Sequence, residues 1–479
     1  MIGPQLRRLG RHAAIYGLGG LVSRILAVLL LPLYTAYLTT ADYGRVETLV
    51  ALTAVLVTLL RAGISNAFFR FYFDSPEPEA RLRVLRTAFW FTIGTSTLGL
   101  ALGWVLATPI ADALNLGANQ DGLVRAAFVG LWAQMNYEQL TALFRVEERS
   151  VGFVLASLAN VLLTIATTVL LVVVYDLGAL GVIVGNFTGT LLVYLGLVGY
   201  RREQLGLQFD RELLRRMNRF GLPLVPSGIA LWALNFSDRF FLARLAGQDD
   251  VGRYSLGVRI ASAMVLLLFA FRTAWPAFAY SIDDDREARR TYAFVLTYLL
   301  FVACWLSLAL GVLAPWLVQV LAPSNEAFWP GATVVAPLAF AGALWGAYTV
   351  VAIGIGRLRR TQFNWVITGS AAAVDVALNL LLIPRYGIEG AAAAAVVAFA
   401  VMFLAMSVYS QRLYPVPYQW RRVATVLGVA VALTIAGRLI DRLDVAVVLV
   451  LAYPLVLLAL GFYLPFERAR LARLLVRHA

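Results

Sequence analysis

The chain has 479 residues, of which 61% are hydrophobic and 14% charged, with a mean hydropathy of +0.78. Soluble domains run at roughly 45–50% apolar, so this composition excludes a water-soluble globular protein. The net charge of +13 comes wholly from arginine, since no lysine is present, and it is dispersed along the chain rather than gathered into a nucleic-acid-binding tract.

Apolar segments of about 20 residues recur from end to end, each long enough to cross a hydrocarbon core of about 30 Å as a helix. Punctuation by proline, glycine and charge predicts about fourteen such spans. In chain order they are 13–38, 45–68, 88–108, 123–144, 151–175, 179–200, 222–246, 252–275, 291–313, 332–354, 362–383, 388–409, 424–440 and 445–464. The fold class expected is an all-α polytopic membrane protein. The longest connection, "RREQLGLQFDRELLRRMNRFG", reads as an amphipathic surface helix. The N-terminus "MIGPQLRRLGRH" shows no small-residue cleavage site and reads as an uncleaved anchor.

Most arginines fall in segments that share the side of the N-terminus, the positive-inside pattern, which predicts that both termini are cytoplasmic. Clusters such as Arg81, Arg83, Arg86 and Arg215, Arg216, Arg219 then act as topology anchors, with anionic lipid as the lesser alternative. Cys304 is the lone cysteine and lies in an apolar span, while His12 and His478 sit in the tails. A disulfide framework, a buried histidine metal site and a histidine triad are thereby excluded.

The sequence repeats itself. "RRLGR" at 7–11 returns as "RRMNR" at 215–219, "DYGR" at 42–45 as "DVGR" at 250–253, and "EAR" at 79–81 as 287–289, each at an offset of 208. Gly178 and Gly181 return one residue later in register as Gly387 and Gly390. Six spans per copy is an even number, so both copies enter the membrane from the same side and form a parallel repeat. The expected organisation is an N-terminal six-helix lobe over 1–205, a C-terminal lobe over 206–415, and an extra helix pair with a tail over 416–479.

A charge at mid-span costs about 2.5–3.5 kcal/mol on insertion scales, so such residues face a cavity or a partner. Here they are Arg24, Arg61, Glu138, Asp238, Arg239, Arg259, Arg272 and Asp375. Adjacent residues on a helix point about 100° apart, so Asp238 and Arg239 are expected to satisfy one another poorly. Trp232, Asn235 and Arg239 share a face and are expected to line a wet cleft, with interhelical pairing of Asp238 to Arg259 or Arg244 as the alternative. Glu138, Asp375 and Asp238 are candidate coupling carboxylates, with ion pairing to buried arginines as the plainer reading. Trp132, Trp232, Trp305 and Trp345 lie deep, as candidates either for sugar stacking or for core packing.

The stretches "SRILAVLLLPLYTAYLTTADYG", "FGLPLVPSGIALWALNFSDRFFLARLAGQDDVGRYSLGVRI" and "LNLLLIPRYGIEGAAAAAVVAF" resemble the polysaccharide transporter family over essentially the whole chain. These are bacterial flippases for lipid-linked oligosaccharides, such as O-antigen, exopolysaccharide or capsule units, in the superfamily that includes lipid II flippases and multidrug exporters. The resemblance implies a V-shaped, two-lobed, non-enzymatic transporter of the inner membrane, moving an undecaprenyl-diphosphate-linked glycan by alternating access. Ser23 and Arg24 match a Ser-Arg pair of lipid II flippases, whereas Leu30 stands where those carry a second arginine, which argues against lipid II as cargo.

Arg24, Arg239 and Arg259 are the first candidates to grip a diphosphate, with Arg61 and Arg272 nearer the cytoplasmic mouth and Trp232 and Asn235 as candidate sugar contacts. No cofactor is expected beyond a coupling proton or sodium ion. The partners expected are the lipid-linked glycan and membrane lipids, and a monomer suffices. Two rivals are an ion-coupled multidrug exporter, which would want an acidic cleft, and a membrane glycan polymerase or ligase, which would want a sizeable exterior loop. The acidic run "DDDRE" at 283–287 reads as a solvated loop.

Overall fold

The computed structural model describes residues 30–358, 360, 363–465 and 467. Every regular element among them is helical. In chain order these are α1 (Leu31–Tyr37), α2 (Thr40–Arg61), α3 (Ile64–Phe71), α4 (Pro78–Val105), α5 (Ala107–Ala113), α6 (Asp121–Val146), α7 (Ser150–Val169), α8 (Gly178–Arg201), α9 (Arg211–Gly221) and α10 (Val225–Leu245). They continue as α11 (Gln248–Ala261), α12 (Ala263–Tyr280), α13 (Asp285–Leu321), α14 (Val335–Val351), α15 (Ile353–Arg357), α16 (Asn364–Leu413), α17 (Trp420–Ile440) and α18 (Leu443–Ala459).

Ten helical stretches among the described residues are long and apolar enough to cross a membrane, and Leu443–Ala459 is a shorter apolar helix. Two predicted spans, 362–383 and 388–409, run together in α16, whose Gly387 breaks the helix with φ 52° and ψ −128°. Its repeat mate Gly178 adopts φ 51° at the start of α8, so the internal duplication is visible in the backbone as well as in the letters. Both conformations lie in the region that glycine enters freely.

The chain divides into two compact units, Met1–Ser255 with Leu321–Phe328, and Leu256–Val320 with Trp329–Ala479. In the first, α2 starts on Thr39, whose hydroxyl accepts from the Asp42 backbone N–H at 3.0 Å. It ends where Ala62 and Gly63 turn left-handed at φ 48° and 74°, dividing α2 from α3. The core beneath α3 and α4 gathers Phe68, Val84, Leu85, Leu143, Leu213 and Met217. A second cluster unites Phe89, Leu140, Phe144 and Tyr194. Arg201, only 3% exposed, is gripped by both carboxylate oxygens of Glu147 at 2.8 and 2.7 Å, closing the end of α8 onto α6.

In the second unit α14 packs along α16, and α17 packs with α18. Trp305 donates its indole N–H to the Val450 carbonyl at 2.7 Å. The acidic run at 283–287 is more than a solvated loop: Asp285 accepts from Arg357 and from Tyr414, each at 3.0 Å, and pairs with Arg289 at 3.3 Å. Arg357 also donates to the carbonyls of Ile282 and Asp283. These bonds fix the turn before α13 to the ends of α15 and α16.

Candidate functional site

The residues of interest fall into three groups: a close crossing where α2 and α11 begin, a charge cluster beneath it, and arginines further along the spans.

The crossing is built from the duplicated "D-x-G-R" motifs. Asp42 and Arg45 pair at 2.8 Å, and their mates Asp250 and Arg253 pair at 2.9 Å. Arg45 Nε donates to the Leu116 carbonyl at 2.7 Å, and Arg253 Nε to the Ala327 carbonyl at 3.0 Å. Asn115 donates to the Ala243 carbonyl at 3.0 Å, and Asn325 to the Leu38 carbonyl at 3.3 Å. Each contact therefore appears twice, once per copy of the repeat. At the centre, a Cβ on Gly44 would strike the Gln248 carbonyl, and a Cβ on Gly252 would strike the Thr40 carbonyl. Thr40 hydrogen-bonds Asp249, while Thr48 donates to the Gln248 side-chain oxygen at 3.0 Å. The repeat was legible in the sequence, but nothing in its spacing said that the two motifs meet.

Beneath this crossing, Asp238 and Arg239 pair despite their adjacency, although the buried Arg239 Nε has no hydrogen-bond partner among the described residues. The Asp238 carboxylate folds back onto the Arg239 backbone N–H at 2.9 Å, and the long arginine side chain bends to reach it at 2.7 Å. Tyr254 donates to the other Asp238 oxygen at 2.5 Å, and Arg239 donates to the Asn235 carbonyl at 2.6 Å. Arg239 is 5% exposed and Asp238 9%. Glu47, buried on α2, is in electrostatic reach. The 100° separation applies to Cα–Cβ directions and is overcome by the flexibility of the arginine stem. Arg239 is thus buried among these partners, and Trp232 lies against α2, donating to the Ala51 carbonyl at 2.9 Å. Asn235 is exposed but turns its amide to the Leu231 carbonyl at 2.7 Å.

Among the deeper arginines, Arg61 pairs with Glu138 at 2.8 Å, and Gln134 donates to the other Glu138 oxygen at 2.9 Å. Two sequence candidates, one for an anion and one for a coupling carboxylate, are thereby joined. The Glu138 side chain is 37% exposed, so the pair is open on one side. Arg24 and its neighbour Ser23 lie outside the described residues. Arg259, on α11, is half-buried and engaged by neighbours. Asp375 is 3% exposed and accepts from Asn379 at 3.1 Å, with a further interaction of its own.

Arg272 differs from the rest. It sits midway along α12, is exposed, and places its guanidinium 4.2 Å from the centre of the Trp345 ring on α14. Tyr348, one turn further along α14, is its polar neighbour. No acid among the described residues lies against it. Cation–π contact with tryptophan contributes about 0.5–2 kcal/mol and leaves the N–H donors free for an anion. No group of three or more metal-ligating side chains occurs among the described residues.

Residues 9–281 match the family described as "Polysaccharide biosynthesis protein". The amylovoran biosynthesis protein AmsL of Erwinia amylovora is 24% identical over 366 residues, covering 72% of this chain and 91% of that protein. Among solved structures, the lipid II flippase MurJ in an inward closed conformation superposes with a TM-score of 0.74 at 12% identity, covering 92% of this chain and 98% of MurJ. An inward-facing multidrug resistance MATE family transporter of the MOP superfamily superposes at 0.70 with 13% identity, covering 84% of this chain and 95% of that one. At such identities the likeness is one of fold.

Proposed function

Because the chain belongs to the polysaccharide biosynthesis protein family, we propose that it is a flippase carrying an undecaprenyl-diphosphate-linked oligosaccharide from the cytoplasmic to the periplasmic leaflet of a bacterial inner membrane. The observation that carries this reading is Arg272: a guanidinium within the apolar stretch Gln248–Tyr280, eight residues before its end, braced on Trp345, with no acid against it among the described residues. An arginine so placed needs either water or an anion. A diphosphate bears about two negative charges, and planar donor forks grip its oxygens while replacing the hydration it loses.

Alternating access supplies the movement, and the Gly44–Gly252 crossing is the seal at the periplasmic end, undone when the start of α2 leaves the start of α11. The work requires one chain. Arg61 contributes second, by exchanging Glu138 for cargo phosphate.

The multidrug exporter reading fits less well. A cationic cargo wants free carboxylates, yet Glu138 is committed to Arg61 and Asp238 to Arg239. A polymerase would draw on the connection around 314–331, which is largely helical and leaves only 322–325 between α13 and the 3-10 segment Glu326–Val334.

The test is reconstitution. Proteoliposomes containing the chain and a polyprenyl-diphosphate oligosaccharide with a fluorescent glycan are exposed to a membrane-impermeant quencher. Flipping exposes the inner-leaflet half of the label, whereas a signal equal to that of empty liposomes refutes the reading.

A further inference from the structure

We propose that the arginine face of α9 is a docking site for anionic phospholipid headgroups at the membrane surface. The inference goes beyond the transport reading and does not depend on it.

Helix α9 is strongly two-sided. Leu213 and Met217 are buried against Phe68, Val84 and Leu85, while Arg211, Arg215, Arg216 and Arg219 are exposed. Arg211, Arg215 and Arg219 recur at every fourth position and so form one stripe along the helix. Helical structure runs from Arg211 through a 3-10 turn at Leu222–Leu224 to Leu245, 35 residues, whereas about 20 residues cross a hydrocarbon core of about 30 Å. The stretch thus exceeds what a crossing needs, and α9 is its polar end. Its stripe ends at Arg219, six residues before Val225, where the apolar stretch begins. Phe220, Leu222 and Leu224 are exposed where the helix enters, and Phe209 is exposed just before it. Arginines flanked by exposed apolar side chains are the pattern of a segment lying in the interface.

Neighbouring arginines show what the fold itself uses. Arg201 is clamped by Glu147, and Arg86 donates to the Gln204 carbonyl at 2.9 Å and to the Gln208 side chain at 2.6 Å. The four α9 arginines pair with no acid among the described residues, and Glu212 in the first turn is the one acid on the helix. Guanidinium forks match phosphate oxygens, and a lipid phosphate is what lies at the end of an apolar span.

The experiment uses the full chain in vesicles of phosphatidylcholine with a minority of phosphatidylglycerol, extracted mildly, with retained phosphatidylglycerol counted by native mass spectrometry. The variant Arg215→Gln/Arg216→Gln/Arg219→Gln should retain it more weakly by about fivefold for each charge removed. The control Arg202→Gln/Arg412→Gln/Arg421→Gln, which removes three exposed arginines elsewhere, should retain it as wild type does. Equal retention by wild type and the α9 variant, or equal loss in the control, would overturn the proposal. So would displacement of the lipid by inorganic phosphate, which would mark a site for soluble anions. If the α9 variant does not elute as a folded protein, wild-type chain photo-crosslinked with a diazirine-bearing phosphatidylglycerol decides: adducts within 209–224 support the site, and adducts only elsewhere refute it.

Discussion

Gly44 and Gly252, 208 positions apart in the chain, lie against one another, and each leaves room where the other's helix start passes. The exchange is reciprocal: Gly44 meets the backbone of Gln248, and Gly252 meets that of Thr40. A side chain at either position would force the crossing apart at about 1–3 kcal/mol. Gly44→Ala and Gly252→Ala are therefore expected to unseat the seal. The measurement is maleimide labelling of a cysteine introduced at Thr40, which should speed up in both variants, while transport falls.

The same crossing can be tested by locking it. Thr40 and Asp249 touch through their side chains, so Thr40→Cys/Asp249→Cys should form a cross-link under mild oxidant. Cys304, the single native cysteine, is buried and should not compete. Transport is expected to stop on oxidation and return on reduction; transport by the cross-linked protein would show that this end need not open.

Arg239 is predicted to matter for folding rather than for cargo. Arg239→Ala would leave Asp238 buried and uncompensated beside Glu47, at a cost of about 3–5 kcal/mol. The expected outcome is poor accumulation and a lowered Tm. Asp238→Leu/Arg239→Met, which removes both charges, should recover much of the loss.

The Arg61–Glu138 pair should behave differently, because its carboxylate is 37% exposed and the pair is worth only about 1 kcal/mol. Arg61→Ala is expected to lower Tm slightly and transport strongly. Glu138→Gln should lower Tm by a similarly small amount and free Arg61 for anions, tightening cargo binding in a direct titration. Equal transport loss in both variants would make the pair purely structural.

Much of the fold is legible in the letters because lipid imposes a simple rule. Runs of about 20 apolar residues must be helices, and a repeat offset of 208, shifting to 209 by Gly178 and Gly387, survives as shared contacts and as the matching φ of those two glycines. The site is less legible. Periodicity gives the direction of Cα–Cβ bonds but not the path of an arginine stem, so the contact between Asp238 and Arg239 could not be read from adjacency. Nor does composition separate an arginine that has an acid on another helix, as Arg61 has in Glu138, from one braced on an aromatic ring, as Arg272 is on Trp345. That distinction depends on partners far apart in sequence.

Arg272 bears the central claim, and one comparison tests it most directly: flipping by wild-type chain and by Arg272→Ala in the same proteoliposomes, at equal protein incorporation, with a diphosphate-linked glycan. The account predicts loss of flipping in Arg272→Ala, partial return in Arg272→Lys, which restores charge without the planar fork, and only a small drop in Tm in Arg272→Ala from the lost contact with Trp345. Wild-type flipping rates in Arg272→Ala would contradict it.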